Sequence, residues 1–271
     1  MIHRAYSQRR RMASSCEDNM QERRLEPLEH LNETPGISRA ELAYERLETL
    51  LAHMELRPGA FLTMAELQTR TGLGRMPVLE ATRRLSDDTL LEVRAGRGIR
   101  VLPIDLGRER RLLRVRHDLE RFAIEQACER ASTLERSQMR QLAAALADLV
   151  KDDAPLCDDR VRRFNDIDRR LDRLVLKAAS EPFIERTLRP LHTLFRRLGY
   201  LFLMHFGDEP LIRTNIRLHQ EMLECVIDGR VQAADEALAR LMAFAGEMLE
   251  PIEKHLDPAL LDAAITPLTS E

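Results

Sequence analysis

Hydrophobic residues recur every third or fourth position along most of the chain, the spacing that buries one face of a helix. The segment 39–55 follows this pattern, and Ser38 stands three residues before Glu41, the spacing of a capping box at a helix start. Thr63 and Glu66 repeat that spacing and predict a second short helix, which ends before the TGLG turn.

A third helix is predicted for GLGRMPVLEATRRL, residues 72–85. Its apolar face, which we expect to be buried, consists of Val78, Ala81 and Leu85. Pro77 lies in the first turn, where its missing N–H costs nothing. The next segment, LLEVRAGRGIRVLPI over 90–104, has β-branched residues on both sides of a glycine-containing turn and predicts a hairpin. This order of elements is that of a winged helix-turn-helix domain.

The remainder of the chain has helical periodicity throughout. Turn signals separate six predicted helices, at 107–131, 135–151, 158–179, 183–205, 209–228 and 231–255. We therefore expect a mainly α protein with four parts: a flexible polar and basic tail at 1–36, a winged helix-turn-helix domain at 37–104, an all-helical bundle at 105–256 and a C-terminal tail at 257–271.

Composition agrees with this assignment. The 271 residues are 44% hydrophobic and 32% charged with 4% aromatic and no Trp, which favours a water-soluble, helical protein of two domains. The four cysteines are far apart and form no C-x-x-C pair, so we expect reduced thiols in a cytoplasmic protein. No run approaches the roughly 18 apolar residues of a membrane span, and we expect no membrane partner.

Charge is distributed unevenly, which changes the functional prediction. The net charge is -3, but residues 70–101 carry seven Arg against four acidic residues, so a polyanion is expected to meet this region. Arg75, at the start of a helix that could enter the major groove, suits guanine because its guanidinium matches O6 and N7. The alternative is a solvated face on which these arginines pair with Glu80, Asp87 and Asp88.

The other candidate DNA-contacting residues lie around Arg75. The Pro77 backbone would approach a phosphate, the arginines would contact the sugar-phosphate backbone or the minor groove, and Gly98 would let the hairpin tip come close. The complete candidate set is Thr63, Arg75, Met76, Pro77, Arg83, Arg94, Arg97, Gly98 and Arg100.

Charged residues also interrupt the apolar faces of the helical domain. Arg116, Asp168, Asp172 and His219 all fall on stripes expected to face inward. Buried carboxylates are costly unless a cation or hydrogen bonds compensate them. Either Arg116, a metal or a ligand compensates them, or the four residues form an internal structural network. The pattern alone leaves these alternatives open.

The segment PGAFLTMAELQTRTGLGRMPVLEATRRLSDDTLLEVRAGRGIRV, 58–101, resembles the DNA-binding domain of GntR-family transcriptional regulators. The shared positions are Pro58, Gly59, Leu62, Leu67, Gly72, Arg75, Pro77, Val78, Ala81, Leu85, Leu90, Gly98 and Val101. Gly74, Met76 and Leu79 depart from the family pattern, Leu79 standing where the family has a DNA-contacting Arg. The resemblance implies DNA binding, but it does not carry over an operator sequence.

Residues 106–250 resemble the FCD ligand-binding domain of the FadR subfamily, with DRRLDRLVLKAASEPF, 168–183, as the most similar stretch. In that subfamily an Asp and three His residues bind a divalent metal beside a carboxylate effector. Asp168 and His219 match that pattern, whereas Asp172 and Leu241 replace two of the histidines and Glu181 replaces an Asn.

The resemblance therefore implies one of two pockets. In the first, Asp168, Asp172 and His219 hold a divalent metal of the Zn, Ni or Mn type. In the second, which is metal-free, Arg116 anchors a carboxylate effector. No organic cofactor is expected in either pocket.

Together these observations predict a homodimeric regulator, a repressor, that binds a double-stranded DNA operator and responds to a small organic acid. Its effector-binding residues are expected to be Arg116, Asp168, Asp172 and His219. One alternative is a metal-dependent enzyme in a helical bundle with Asp168 and Asp172 as catalytic residues, but the chain lacks the Glu-x-x-His pairs of such bundles, and we expect no enzyme. The other alternative is a winged-helix protein-interaction module.

Overall fold

Three helices and a small sheet form the N-terminal part of the protein. The structure, a computed structural model, describes residues 37–152 and 156–264, so the predicted tail at 1–36 lies outside the described residues. The elements of this part are α1 Arg39–Ala52, β1 Phe61–Leu62, α2 Met64–Thr71, α3 Arg75–Asp87, β2 Leu91–Arg94 and β3 Gly98–Val101. This confirms the predicted winged helix-turn-helix order.

Helix α1 begins where the sequence predicts, but only half of the predicted capping box forms. The Ser38 side chain accepts a hydrogen bond from the Glu41 backbone N–H at 3.0 Å. The Glu41 carboxylate does not return to the Ser38 backbone, because it binds Arg84 and Arg189 instead. Its charge therefore links α1 to α3 and to the helical domain.

The helix-turn-helix pair α2 and α3 is formed by local signals. Thr63 and Glu66 make both halves of the second capping box, which confirms that prediction. Gly72 ends α2 with a φ of +65°, a left-handed conformation that favours glycine. The predicted apolar face of α3 is fully buried and consists of Val78, Ala81 and Leu85.

The wing is an antiparallel three-stranded sheet in the order β1-β3-β2. Leu91 pairs with Val101 and Arg94 pairs with Gly98 in the predicted hairpin, so its turn contains Ala95, Gly96 and Arg97. Strand β1, which pairs Phe61 with Arg100, was not predicted, because two residues are too few to show an alternating pattern.

The rest of the described chain is helical. Its elements are α4 Leu106–Arg130, α5 Thr133–Lys151, α6 Asp158–Ala179, α7 Pro182–Phe206, α8 Glu209–Ile227, α9 Val231–Glu247, α10 Leu249–His255 and α11 Pro258–Leu261. All six predicted segments are helical, but the prediction of one helix over 231–255 was wrong, because the helix breaks at Met248 into α9 and α10. Pro251 explains the break, because its ring would clash with the carbonyl of residue 247, four positions earlier.

The chain after α10 returns to the winged domain. The Ile104 backbone N–H donates to the Leu261 carbonyl at 2.9 Å, and the Ala263 N–H donates to the Pro58 carbonyl at 2.8 Å. Part of the segment predicted as a C-terminal tail therefore packs on the winged domain, and residues 265–271 lie outside the described residues.

Candidate nucleic-acid interface and buried charge network

The outward face of α3 carries exposed basic and apolar side chains at its N-terminal end. Arg75 and Arg83 are exposed, and Met76 is 72% exposed. Neither arginine has an ion pair with another residue of the described ranges. Gly74 begins the helix without a side-chain cap, so the first backbone N–H groups of α3 are free to bind an anion.

Two more predicted residues lie beside this face. Pro77, in the first turn of α3, is half-buried. Thr63 is exposed at the start of α2, but its hydroxyl already bonds the Glu66 backbone N–H at 3.2 Å and the Glu66 carboxylate at 2.9 Å. A phosphate contact at Thr63 would therefore compete with the capping box.

The tip of the wing presents a single exposed cation. Arg97 is exposed in the turn and has no ion pair with any residue that the structure describes, whereas Arg94 binds Glu92 at 2.9 Å. Gly98 has a φ of +95°, and a Cβ there would lie 2.6 Å from the Leu62 carbonyl oxygen. Glycine at this position therefore allows β1 and β3 to approach each other, and it also permits the positive φ at the end of the wing turn.

The structure places Arg100 away from the exposed wing surface. Its Nη2 lies 3.2 Å from Asp262, in the segment that returns to the winged domain, and its side chain is only 17% exposed. This pairing corrects the sequence-based grouping of Arg100 with the exposed arginines. The local sequence pattern could not indicate this pairing, because Asp262 is 162 residues further along the chain than Arg100.

Inside the helical domain, Asp168 and Asp172 are compensated by an arginine that the sequence analysis did not select. Arg196 Nε lies 2.9 Å from Asp168 Oδ2, and the same guanidinium binds Asp172 through Nη2. The Asp168 Oδ1 atom faces His219 Nε2 at 3.2 Å. The structure therefore brings Asp168, Asp172 and His219 together as predicted, but around Arg196 and not around Arg116.

Arg116 belongs to the same network through a different partner. Its Nε lies 2.5 Å from Glu120 Oε1, and its guanidinium lies over the Phe195 ring, 5.0 Å from the centroid. Glu120 Oε1 is also 2.8 Å from His192 Nε2, and His192 Nδ1 is 3.2 Å from Asp172. Arg116 is thus linked to Asp172 through Glu120 and His192.

Protonation within the network follows from these contacts. Burial alone would lower the pKa of His219, but the opposing effect of the Asp168 carboxylate is larger. The pKa of His219 therefore lies above its usual value. Burial raises the pKa of Asp168, while His219 and Arg196 outweigh that effect and hold it below its usual range. His219 Nδ1 faces the Asn215 carbonyl at 2.8 Å and therefore donates, which together with Nε2 facing a carboxylate favours a doubly protonated ring.

A small cavity adjoins this network. It measures about 40 Å³ and is lined by Arg116, Asp168, Arg196 and His219 together with apolar side chains such as Phe195. Both guanidinium groups face a space where a carboxylate could replace existing partners. Asp172 does not line this cavity and lies on the other side of the network.

The residues do not fit the divalent metal that the family resemblance implies. The Arg196 guanidinium binds both Asp168 and Asp172, so it takes up the carboxylate oxygens that a metal would need. A protonated His219 Nε2 has no lone pair for a metal. Within 37–152 and 156–264 no cluster of three or more His, Cys, Asp or Glu side chains is arranged to hold a metal ion.

Arg196, His192 and Glu120 were missed by the sequence analysis, although a signal for each of them existed. His192 and Arg196 lie four residues apart on α7, on the face whose apolar members include Leu188 and Phe195. A polar pair inside an apolar stripe is the same signal that selected Asp168 and Asp172. Glu120 lies four residues after Arg116 on α4, where a salt bridge along the helix is expected.

Comparison with known proteins identifies the class to which this geometry belongs. Residues 39–101 match the family model of the bacterial regulatory proteins of the gntR family, and residues 111–244 match the FCD domain. The chain belongs to the GntR family and carries an FCD domain, as the resemblance predicted. It is a transcriptional regulator with a DNA-binding winged domain.

Particular relatives agree with this class. The chain is 23% identical over 226 residues to the uncharacterized HTH-type transcriptional regulator YdfH of Escherichia coli O6:H1, covering 83% of this chain and 94% of that protein. Its fold is similar to that of E. coli McbR/YncC, with a TM-score of 0.66 and 20% identity over 80% of this chain and 100% of the other.

A third relative shares the fold. A putative GntR transcriptional regulator from Rhodococcus sp. RHA1 gives a TM-score of 0.58 at 15% identity, over 79% of this chain and 98% of the other. Among the residues that the structure describes, none of the helices is long and apolar enough to cross a membrane.

Proposed function

We propose that this regulator is a homodimeric, cytoplasmic repressor whose operator affinity is controlled by a small carboxylate bound in the helical domain. The proposal of DNA binding rests on one observation. Arg75, Arg83 and Arg97 are exposed and have no ion-pair partners among the described residues. Arginines left unpaired on the face of a recognition helix and at a wing tip are available to bases and phosphates.

A selection from a random duplex DNA library tests this function. The full chain should enrich a near-palindromic sequence, since two winged domains of a dimer would occupy two half-sites. Affinity for that sequence should fall steeply with salt, because each neutralised phosphate contributes about 0.9 to the log-log slope. Failure to enrich any sequence would favour the protein-interaction module over the regulator proposed here.

Arg97→Ala should weaken binding to all DNA sequences by a similar factor. The exposed guanidinium at the wing tip is suited to phosphate or the minor groove, so its loss removes about one phosphate contact without changing base preference. The measurement is the salt dependence of affinity for the selected duplex and for a scrambled duplex. Both log-log slopes should become less steep by the contribution of about one phosphate contact. Arg140→Ala, at an exposed position on α5, is the matched control. An unchanged slope would remove Arg97 from the interface.

Dimer formation is supported by two exposed apolar residues on α4. Val115 and Phe122 are 48% and 43% exposed and stand seven residues apart, so they share one face of the helix. Phe122→Glu should therefore shift the protein from dimer to monomer in light scattering, because a charge would be buried at the interface. Phe183→Glu, at a position 68% exposed on α7, is the control and should leave a dimer. A wild-type monomer at operator-binding concentrations would contradict the proposal.

The effector is proposed to enter the small central cavity and to bind Arg116. Because the cavity measures only about 40 Å³, the ligand must displace apolar side chains such as Phe195, which would couple binding to a shift of α7. Arg116→Ala should fold, because Glu120 keeps His192 as a partner, and should bind operator DNA. It should lose the response to any carboxylate that releases wild-type protein from DNA. A full response in Arg116→Ala would place the effector elsewhere.

A further inference from the structure

A larger cavity lies between the two domains and has a volume of about 280 Å³. One wall is α1 of the winged domain, and the other is formed by α6 and α7 of the helical domain. Ligand pockets in proteins commonly measure about 300 to 1,000 Å³, so this cavity approaches the size of a small-metabolite site. The central cavity, at about 40 Å³, is much smaller.

The carboxylates of α1 that line the interdomain cavity are paired across the domain boundary. Arg189 binds Glu48 at 2.9 Å and Glu41 at 2.5 Å, and Thr193 donates to Glu48 at 3.1 Å. Arg173 binds Glu45 at 2.6 Å. The carboxylates of α1 are therefore largely compensated by these arginines, and they do not leave an excess of negative charge in the cavity.

Arg169 has only a long ion pair at this cavity. Its side chain is buried, with the residue only 6% exposed, yet its Nε and Nη1 atoms have no hydrogen-bond partner within the described ranges. The nearest carboxylate oxygen, on Glu45, is 3.8 Å from Nη1, which is too far for a hydrogen bond. Arg173 Nη2, on the same wall of the cavity, is also buried without a hydrogen-bond partner in this part of the chain.

Such an arrangement is costly in the absence of a ligand. A buried guanidinium has lost its hydration and needs acceptor atoms to replace it. Burial, with Arg173 nearby, lowers the pKa of Arg169 to about 10, so it remains charged at neutral pH. A bound anion would supply hydrogen-bond acceptors to these charged, buried donor atoms.

We propose that the interdomain cavity is a second ligand site, which binds a small oxyanion through the guanidinium groups of Arg169 and Arg173. The ligand class is a compound with a phosphate or carboxylate group, because either offers two oxygens to a planar guanidinium. This site differs from the central cavity, which Arg169 and Arg173 do not line, although His192 and Arg196 border both. An anion bound here would contact α6 and lie against α1, so it would hold the winged domain against the helical domain.

Direct binding to the full chain tests the site. Inorganic phosphate and citrate are titrated separately, by calorimetry and by thermal unfolding, into protein dialysed against a zwitterionic buffer. At least one of them should bind and raise the unfolding temperature, and their relative affinities distinguish a phosphate from a carboxylate ligand. Absence of binding by both anions would overturn the proposal.

Substitution of Arg169 then locates the bound anion. Arg169→Met should lower the affinity for the anion at least tenfold, and in anion-free buffer it should unfold at a higher temperature than wild type, because it removes a buried charge that lacks hydrogen bonds. Arg140→Met, which removes an exposed guanidinium on α5, should change neither property. Wild-type affinity in Arg169→Met would overturn the assignment.

A second variant should act in the opposite direction. Glu45→Gln keeps the size of the side chain but removes the carboxylate nearest to Arg169, so it should increase anion affinity severalfold. An unchanged or weaker affinity in this variant would also count against the site. Because the readout is anion binding without DNA, failure here leaves the proposed repressor function standing, and failure of operator binding leaves this site standing.

Discussion

Arg75→Ala is expected to abolish discrimination between the operator and other DNA while leaving the protein folded. The Arg75 side chain is exposed at the first position of α3 and makes no ion pair with any described residue, so its removal costs no tertiary contact. A bidentate contact to guanine contributes about 1 to 3 kcal/mol of discrimination at each half-site. A dimer that loses both contacts should therefore bind its operator hardly better than a scrambled duplex.

The measurement is the ratio of affinities for the selected operator and a scrambled duplex at one salt concentration. Arg140→Ala serves as the matched control, because it removes an exposed arginine from α5 without touching the winged domain. Circular dichroism and the unfolding temperature should match wild type in both variants. If Arg75→Ala kept the wild-type ratio, base recognition would have to come from another residue of α3, with Met76 and Arg83 as the exposed candidates.

Local sequence signals were sufficient for the helix-turn-helix pair and the hairpin of the winged domain. The Thr63 capping box, the turn at Gly72 and the apolar face of α3 are each determined within a few residues, and the structure confirms all three. The two strands of the hairpin could be predicted for the same reason, because their residues lie close together in the sequence. Strand β1 could not be predicted, because its pairing with β3 depends on residues almost 40 positions away and not on its own two residues.

Long-range charge pairing accounts for what the sequence did not reveal. Arg196 and Arg189 lie on one helix, but their partners Asp168, Glu41 and Glu48 come from other parts of the chain. Periodicity shows that a charged residue faces inward, and it does not show which opposite charge it meets. For the same reason the local pattern groups Arg100 with the exposed wing residues, whereas in the fold Asp262 lies beside it.

The network around Arg196 also explains how this FCD domain differs from the metal-binding pattern of its subfamily. Where that pattern has a histidine four residues after the aspartate, this chain has Asp172. A second buried carboxylate beside Asp168 requires a compensating cation. The Arg196 guanidinium is that cation, and it donates hydrogen bonds to Asp168 and to Asp172. We infer that the arginine takes the structural place of a metal here, so that removing metal ions should leave the wild-type protein unchanged.

Arg196→Ala is expected to cause a large loss of stability. Deleting one partner of a buried charge network leaves the others uncompensated and costs about 3 to 5 kcal/mol, whereas Arg230→Ala, which breaks an exposed pair with Asp228, should cost about 0 to 1 kcal/mol. Burial already raises the pKa of Asp172 in the wild type, and loss of Arg196 should raise it further above that of the unfolded chain. The folded variant then binds more protons than the unfolded chain, so the loss should grow as pH rises from 5 to 8.

The same variant tests whether the arginine stands in for a metal. In Arg196→Ala, Asp168 and Asp172 lose the guanidinium that binds both carboxylates, and His219, beside Asp168, can lose its proton to become a ligand. Addition of Mn²⁺ or Zn²⁺ should therefore restore part of the lost unfolding temperature, and chelation should remove that gain. In wild type, neither metal nor EDTA should shift the unfolding temperature, because the guanidinium already occupies the carboxylates. Destabilisation of the wild type by EDTA would show that a metal binds beside Arg196 and would defeat this explanation of the Asp172 substitution.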